Sequence, residues 1–250
     1  MKLAFAAAAA SIAVLAVSGP APAKTAARKP DLTGVWIGWE KEDTPAQYRN
    51  TPYPNPPSFT AEGRKWSQYW GDPAHNLGVQ CIPWGGPAGV TLSTSLFPME
   101  IIQKDKQVTI INEFLSQTRR VYLDGRGHPQ HLEKTWFGHS IGHWQGDTLV
   151  IDTIGVHHGP LNGSGTTVVS ADAEPRMPYS ESLRLTERLR VIDGGKILQD
   201  VLTIDDPAIY TQPFQQTRYW RRAPELDILE YVCSENRRPA DEGFDPPAPK

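Results

Sequence analysis

His139, Asp152 and Glu187 are ionisable side chains set at alternating positions of apolar, strand-like runs. Imidazole titrates close to neutral pH and a carboxylate can orient it, so these residue types suit general acid–base work. The stretch Trp136–Gly155 reads WFGHSIGHWQGDTLVIDTIG, two strand-like runs around the polar cluster Gln145-Gly146-Asp147. Alternation puts His139, Ile141 and His143 on one face and Ser140, Gly142 and Trp144 on the other. If Gln145 and Gly146 are the central turn residues, His139 lies directly across from Asp152; a three-residue loop breaks that pairing. In Leu183–Val191, Glu187 shares its face with Leu183, Leu185, Leu189 and Val191, which points a carboxylate inward. Arg120 shares a face with Thr118 and Tyr122, opposite Val121 and Leu123.

Placed together inside a barrel, these residues form a complete acid–base set. His139 serves as base or acid, Asp152 fixes its tautomer, Tyr122 and Arg120 stabilise an oxyanion, and Glu187 is a second proton carrier. Trp144, Glu100, Glu113 and His143 are the accompanying substrate-binding candidates. The set suits cofactor-independent lyase, dehydratase, hydratase or isomerase chemistry on a small hydrophobic molecule, aromatic or terpenoid-like. Two other readings stand beside it. One is a periplasmic carrier without turnover. The other is purely structural, with Arg120–Glu187 a buried ion pair and His139–Asp152 a structural hydrogen bond.

Other chemistries fit less well. His139 and His143 lie about 13 Å apart along a strand, too far to chelate one ion. His157-His158 is a dipeptide whose side chains point apart, and no HExxH is present, so no metal site is expected. Ser140 lacks the G-x-S-x-G spacing of a nucleophile elbow, and Ser164 reads as loop. No Gly-rich nucleotide fingerprint occurs, so no cofactor is expected.

The elements that must position these residues are short strands. They read as Leu32–Glu40, Met99–Gln103, Gln107–Phe114, Thr118–Asp124, His139–Trp144, Thr148–Gly155, Ser182–Ile192, Lys196–Ile204, Phe214–Arg221 and Ile228–Ser234. No stretch after Trp70 has a helical period, which argues against βαβ units. The expected fold is all-β, an antiparallel up-and-down barrel of about ten strands. A single domain spans 31–238. Within it, 41–97 is a Pro-rich lid or plug with one short helix, Ala61–Trp70, capped by Thr60 and carrying Trp66 and Trp70 on one face. Gly159–Pro178 is a second candidate rim loop, and 239–250 reads as a disordered tail.

Lys2, the apolar run Leu3–Val17 and Ala21-Pro22-Ala23 have the form of a secretory signal over 1–23, followed by a linker over 24–30. The run is too short and Ala-rich for a membrane span. The expected location is the periplasm or beyond the cell. There, Cys81 and Cys233, the only two cysteines, most simply form a disulfide. A formal net charge of −3 over 250 residues gives no electrostatic reason to expect nucleic acid or an anionic membrane as partner.

Several words of the chain also resemble a family. They are DLTGVW (Asp31–Trp36), FPMEIIQ (Phe97–Gln103), RRVYLDGR (Arg119–Arg126), GHSIGHWQGDTLVIDT (Gly138–Thr153), LTER (Leu185–Arg188), TIDDP (Thr203–Pro207) and EYVCSEN (Glu230–Asn236). Together they resemble a widespread family of exported bacterial proteins marked by the GHSIGHW-x-GDTLV motif. Its strand pattern is similar to calycin-like, lipocalin-type barrels. The resemblance implies export and a β fold, and carries no activity over to individual residues.

Overall fold

The computed structural model describes residues 29–39, 43–49, 58–67, 81–83, 85–90, 97–157 and 178–233. The signal over 1–23, most of the 24–30 linker, Trp70, Trp84, His158, Ser164 and the 239–250 tail lie outside them, as do all but Pro178 of the rim loop and the side chain of Trp66. Nine strands close into one barrel in chain order. They are β1 (Gly34–Ile37), β2 (Met99–Lys104), β3 (Gln107–Asn112), β4 (Gln117–Tyr122), β5 (His139–Gln145), β6 (Thr148–Ile154), β7 (Arg184–Ile192), β8 (Ile197–Asp205) and β9 (Phe214–Arg222). Closure runs through β1, which pairs with β2 and, at Trp36↔Arg222 and Ile37↔Arg221, with β9.

The barrel is all-β, with two departures from the alternation-based expectation. The tenth strand, Ile228–Ser234, does not form over its described residues, because its backbone finds other partners. Leu229 N–H donates to Glu113 Oε2 at 2.9 Å, and Ser116 Oγ donates to the Tyr231 carbonyl at 3.0 Å. The Tyr231 ring packs on Phe97 and Phe114. The β4·β5 pair is also parallel, bonded only at Val121↔Ser140 and Tyr122↔Ile141. The long connection from Leu123 to Gly138 carries the chain back along the barrel before β5 begins.

Inward side chains form three layers. One apolar layer holds Trp36, Ile101, Val108, Val121, Leu149, Ile151, Leu198 and Trp220, among others. The second holds Val156, Tyr179, Leu183, Leu185, Leu202, Ile204, Ile209 and Tyr210. Between them the same strands place Arg119, Ser140, Thr153, Glu187, Asp200 and Gln216, all buried. Asp200 is the costly member, since its Oδ1 has no hydrogen-bond partner among the described residues. Burial, with Glu187 adding, raises its pKa well above the ordinary carboxylate value, while Arg119 and Arg218 oppose the rise. The raised folded-state value sets the sign of the pH effect: this residue's contribution to stability is full below the unfolded pKa and is lost as pH rises through the folded one. Thermal unfolding should therefore show wild type losing more stability than Asp200→Asn as pH rises above the ordinary carboxylate range.

Two short helices of the Pro-rich segment lie at the end of the barrel nearest the second apolar layer, whereas Tyr48 of the same segment packs against Tyr219. Helix α1 (Ala61–Ser67) begins where Thr60 Oγ1 accepts from Gly63 N–H at 3.1 Å, the capping bond anticipated for Thr60. Phe59 is bridged to Tyr210, which fixes the helix to the chain after β8. A second short helix, α2 (Gly86–Val90), lies against Tyr179 and Phe137, so the Pro-rich region holds one helix more than its periodicity suggests. Cys81 and Cys233 form a disulfide with Cα atoms 5.7 Å apart, tying this segment to the C-terminal one. The bridge is consistent with an oxidising compartment. No helix among the described residues is long and apolar enough to cross a membrane.

Candidate active site

The hairpin that carries the histidines turns on Gly146 and Asp147, with Gln145↔Thr148 as its last pair. Gly146 takes φ +63°, a conformation open to glycine at the first position of a tight hairpin. Register then sets His139 opposite Ile154 and Asp152 opposite Ile141, so the direct His139–Asp152 pairing does not occur. The two remain diagonal neighbours on one face, and that face points out of the barrel. Ser140, Ile151 and Thr153 fill the inside.

The same parity relocates most of the sequence-derived set. Glu187 is inside as anticipated, but His139, Asp152, Tyr122 and Arg120 are on the outer surface of the wall rather than in the interior. The buried guanidinium is that of Arg119, which alternates with Val121 on the core face of β4; Arg120 alternates with Tyr122 on the other. Arg119 Nη1 donates to Glu187 Oε1 at 2.9 Å, and Nη2 donates to Glu187 Oε2. Its Nε donates to Ser140 Oγ at 3.1 Å, and Nη2 also reaches Thr153 Oγ1 at 2.8 Å. The interior polar layer is thus a hydrogen-bonded ion pair, sealed at 3% and 2% side-chain exposure.

The outer face holds a different cluster, joined by a residue that strand periodicity cannot nominate. His128, in the Leu123–Gly138 connection, places its Nδ1 2.9 Å from His139 Nδ1 and its Nε2 3.3 Å from Asp152 Oδ2. Arg184 then clamps Asp152 through Nε at 2.8 Å and Nη2 at 2.6 Å. On the other side of the imidazole, Tyr122 stacks against His139 with ring centroids 5.3 Å apart. Arg126 lies over the Tyr122 ring at 4.1 Å. Its guanidinium is held by Asp124, whose carboxyl is pulled down to about 2 by that pairing.

The connection reaches this position because Gly155 lets it. Gly155 has φ +73°, and a Cβ there would overlap the Leu132 side chain. Thr135 N–H bonds the Gly155 carbonyl at 3.1 Å and His157 N–H the Thr135 carbonyl at 2.8 Å, so the connection is laced to the end of β6. Gly155→Ala should lift Leu132 and with it His128. The measurable outcome is loss of the His128–His139 cross-peak in imidazole NMR, with a stability cost of about 1–3 kcal/mol in denaturant unfolding.

A cavity of about 340 Å³ opens in the wall beside this cluster, lined by Gln117–Arg120, Tyr122 and Thr135–Ser140. It exists because β4 meets β5 only from Val121 onward, which leaves the first half of β4 unpaired on that side. His139 is the imidazole that lines it. Its pKa is lowered below the usual 6.5, first by burial, then by the charges of His128 and Arg126. With both imidazoles neutral, the same contacts set the tautomer. A carboxylate only accepts, so His128 donates from Nε2; its Nδ1 is then bare and accepts from His139 Nδ1–H. His139 Nε2 is left as an acceptor without a hydrogen bond among the described residues. The chain Arg184–Asp152–His128–His139 is therefore wired to take a proton at that nitrogen and to spread the resulting charge toward Asp152.

The remaining sequence candidates lie elsewhere. Trp144 packs partly buried on the first apolar layer. His143 is exposed and pairs with Gln145 at 3.0 Å. Glu113 is buried and accepts from Leu229 N–H, a structural role. Glu100, on β2, is not among the cavity-lining residues. Among the described residues no group of three or more His, Cys, Asp or Glu side chains is placed to hold a metal ion. Of the residues that periodicity missed, Arg119 carried a signal, since it shares a face with Val121 and Leu123; Arg184 alternates with Leu183 and Leu185 onto the outer face of β7. His128 carried none. Comparison with protein-family models finds no match for the chain, and comparison with curated proteins finds none either.

Proposed function

We propose that the protein is a cofactor-independent enzyme that moves a proton on a small molecule held in the wall cavity, with His139 Nε2 as the base. The observation that carries this reading is the Arg184–Asp152–His128–His139 chain ending at that cavity. A satisfied structural histidine needs one partner; this one is held on one ring nitrogen and unpartnered on the other. The reaction class is lyase or isomerase. A substrate C–H bond breaks, its proton goes to His139 Nε2, and its electron pair either expels a leaving group or shifts a double bond. The imidazolium then returns the proton to the leaving group or to a new carbon. Tyr122 and the aromatic walls Trp136 and Phe137 favour a substrate with an apolar body.

The residue pattern of 1–23 and the Cys81–Cys233 bridge support a periplasmic or secreted location, and the motifs support membership of the exported family they resemble. The test is a turnover screen. Oxidised wild-type protein and His139→Gln are each incubated with a small-molecule extract and compared by mass spectrometry. A compound consumed by wild type and left intact by the variant supports the reading. Equal consumption by both overturns His139 as the base. Retention of a compound without conversion by wild type replaces the enzyme with a carrier.

A further inference from the structure

We infer that the wall cavity recognises a carboxylate, and that Arg120 is the residue that holds it. This deepens the proton-transfer reading above and rests on it for the chemistry, though not for the binding. The first observation is the charge of the lining. It contains Arg119, Arg120 and His139, and neither Asp nor Glu. The second is the pairing of every other arginine around it. Arg119 is neutralised by Glu187, Arg126 by Asp124 and Arg184 by Asp152. Arg120 alone of these four makes no hydrogen bond and no ion pair among the described residues. The cavity therefore holds one positive charge in excess, on a side chain with its full fork of donors available.

The fork selects the partner. A guanidinium binds a carboxylate through two parallel N–H···O bonds, a planar match that a neutral amide cannot reproduce. Arg120 and Tyr122 are successive outward residues of β4, about 7 Å apart along the strand, and Tyr122 is stacked on His139. A carboxylate on Arg120 thus puts the carbon beside it within one small molecule's length of the imidazole. The chemistry is then consistent. When His139 Nε2 takes a proton from that carbon, the electron pair of the broken C–H bond spreads onto the carboxylate oxygens, where the guanidinium already lies. The aromatic walls receive the rest of the molecule.

The experiment compares two isosteric probes, 2-naphthoate and 2-naphthamide, by calorimetry on the oxidised full chain. Wild type should bind the naphthoate about tenfold more tightly, on the scale of one charge-assisted pair. Bound naphthoate should also raise the His139 pKa, read by imidazole NMR. Arg120→Gln should remove the preference. Arg190→Gln, a distant outward arginine bonded to Gln199, should keep it. His139→Gln should also keep the preference while failing the turnover screen, so the two readings fail separately. Equal affinity for both probes, a preference that survives Arg120→Gln, no binding of either probe, or displacement by inorganic phosphate as effective as by naphthoate would each overturn the assignment.

Discussion

Replacing His139 with Gln should lower kcat/KM for the compound that wild type consumes by about 10²–10⁴-fold. The fold should survive, because the side chain is on the outer wall and part of no apolar layer. Gln can still donate toward His128 but cannot accept and hold a proton. The pH profile carries the same information. Burial, His128 and Arg126 hold the imidazole pKa below 6.5, so the base is deprotonated at neutral pH and the acid limb of kcat/KM falls below 6.5. His128→Ala should move the limb up toward 6.5, since the charge of His128 no longer lowers the His139 pKa, and should reduce the rate by a smaller factor, since His128 acts through His139. Stability follows the same sign. The unfolded chain takes up a proton near 6.5 that the folded site resists, so this residue's contribution is present above 6.5 and lost as pH falls below it. His139→Gln should remove that part of the acid destabilisation, visible in denaturant melts at two pH values.

The second large effect is structural. Arg119→Met should destabilise the protein by about 3–5 kcal/mol, lowering Tm by about 6–20 °C, because two buried carboxyl groups then share the layer without their guanidinium. Glu187 loses both of its Arg119 bonds, Ser140 and Thr153 each lose a donor, and Asp200 loses an opposing charge. Glu187→Gln should cost less. Arg119 keeps Ser140 and Thr153, and Asp200 can ionise to balance it. The double change Arg119→Met, Glu187→Leu should recover most of the loss, as apolar replacement of a buried pair generally does. Equal costs for the two single variants would contradict a layer in which Asp200 shares the arginine's field. Glu187→Gln should leave the acid limb of catalysis unaltered, since Glu187 is not among the cavity-lining residues.

The barrel was legible because its strands alternate cleanly and its turns are short. Leu183–Val191 alone fixes the inward place of Glu187. The facing of β5 was not, because both of its faces mix polar and apolar residues, His139, Ile141 and His143 against Ser140, Gly142 and Trp144. Its register was not either, because moving the turn from Gln145-Gly146 to Gly146-Asp147 changes every cross-strand partner. Neighbouring Arg119 and Arg120 invite the same error: both fit an inward ion pair by residue type, and only the Val121 side of β4 decides between them. His128 was illegible for a deeper reason. It sits in an irregular connection whose path depends on a parallel β4·β5 pair and on the small footprint of Gly155, neither of which leaves a periodic trace. The cavity has the same origin, as a gap in pairing rather than a motif.

The assignment of His139 as base rests on where two protons sit, and nitrogen-15 NMR of the imidazoles reads this directly. At neutral pH the account predicts His139 protonated on Nδ1 with Nε2 bare, His128 protonated on Nε2, and a His139 titration below 6.5. A proton on His139 Nε2, or a midpoint above 6.5, would contradict it.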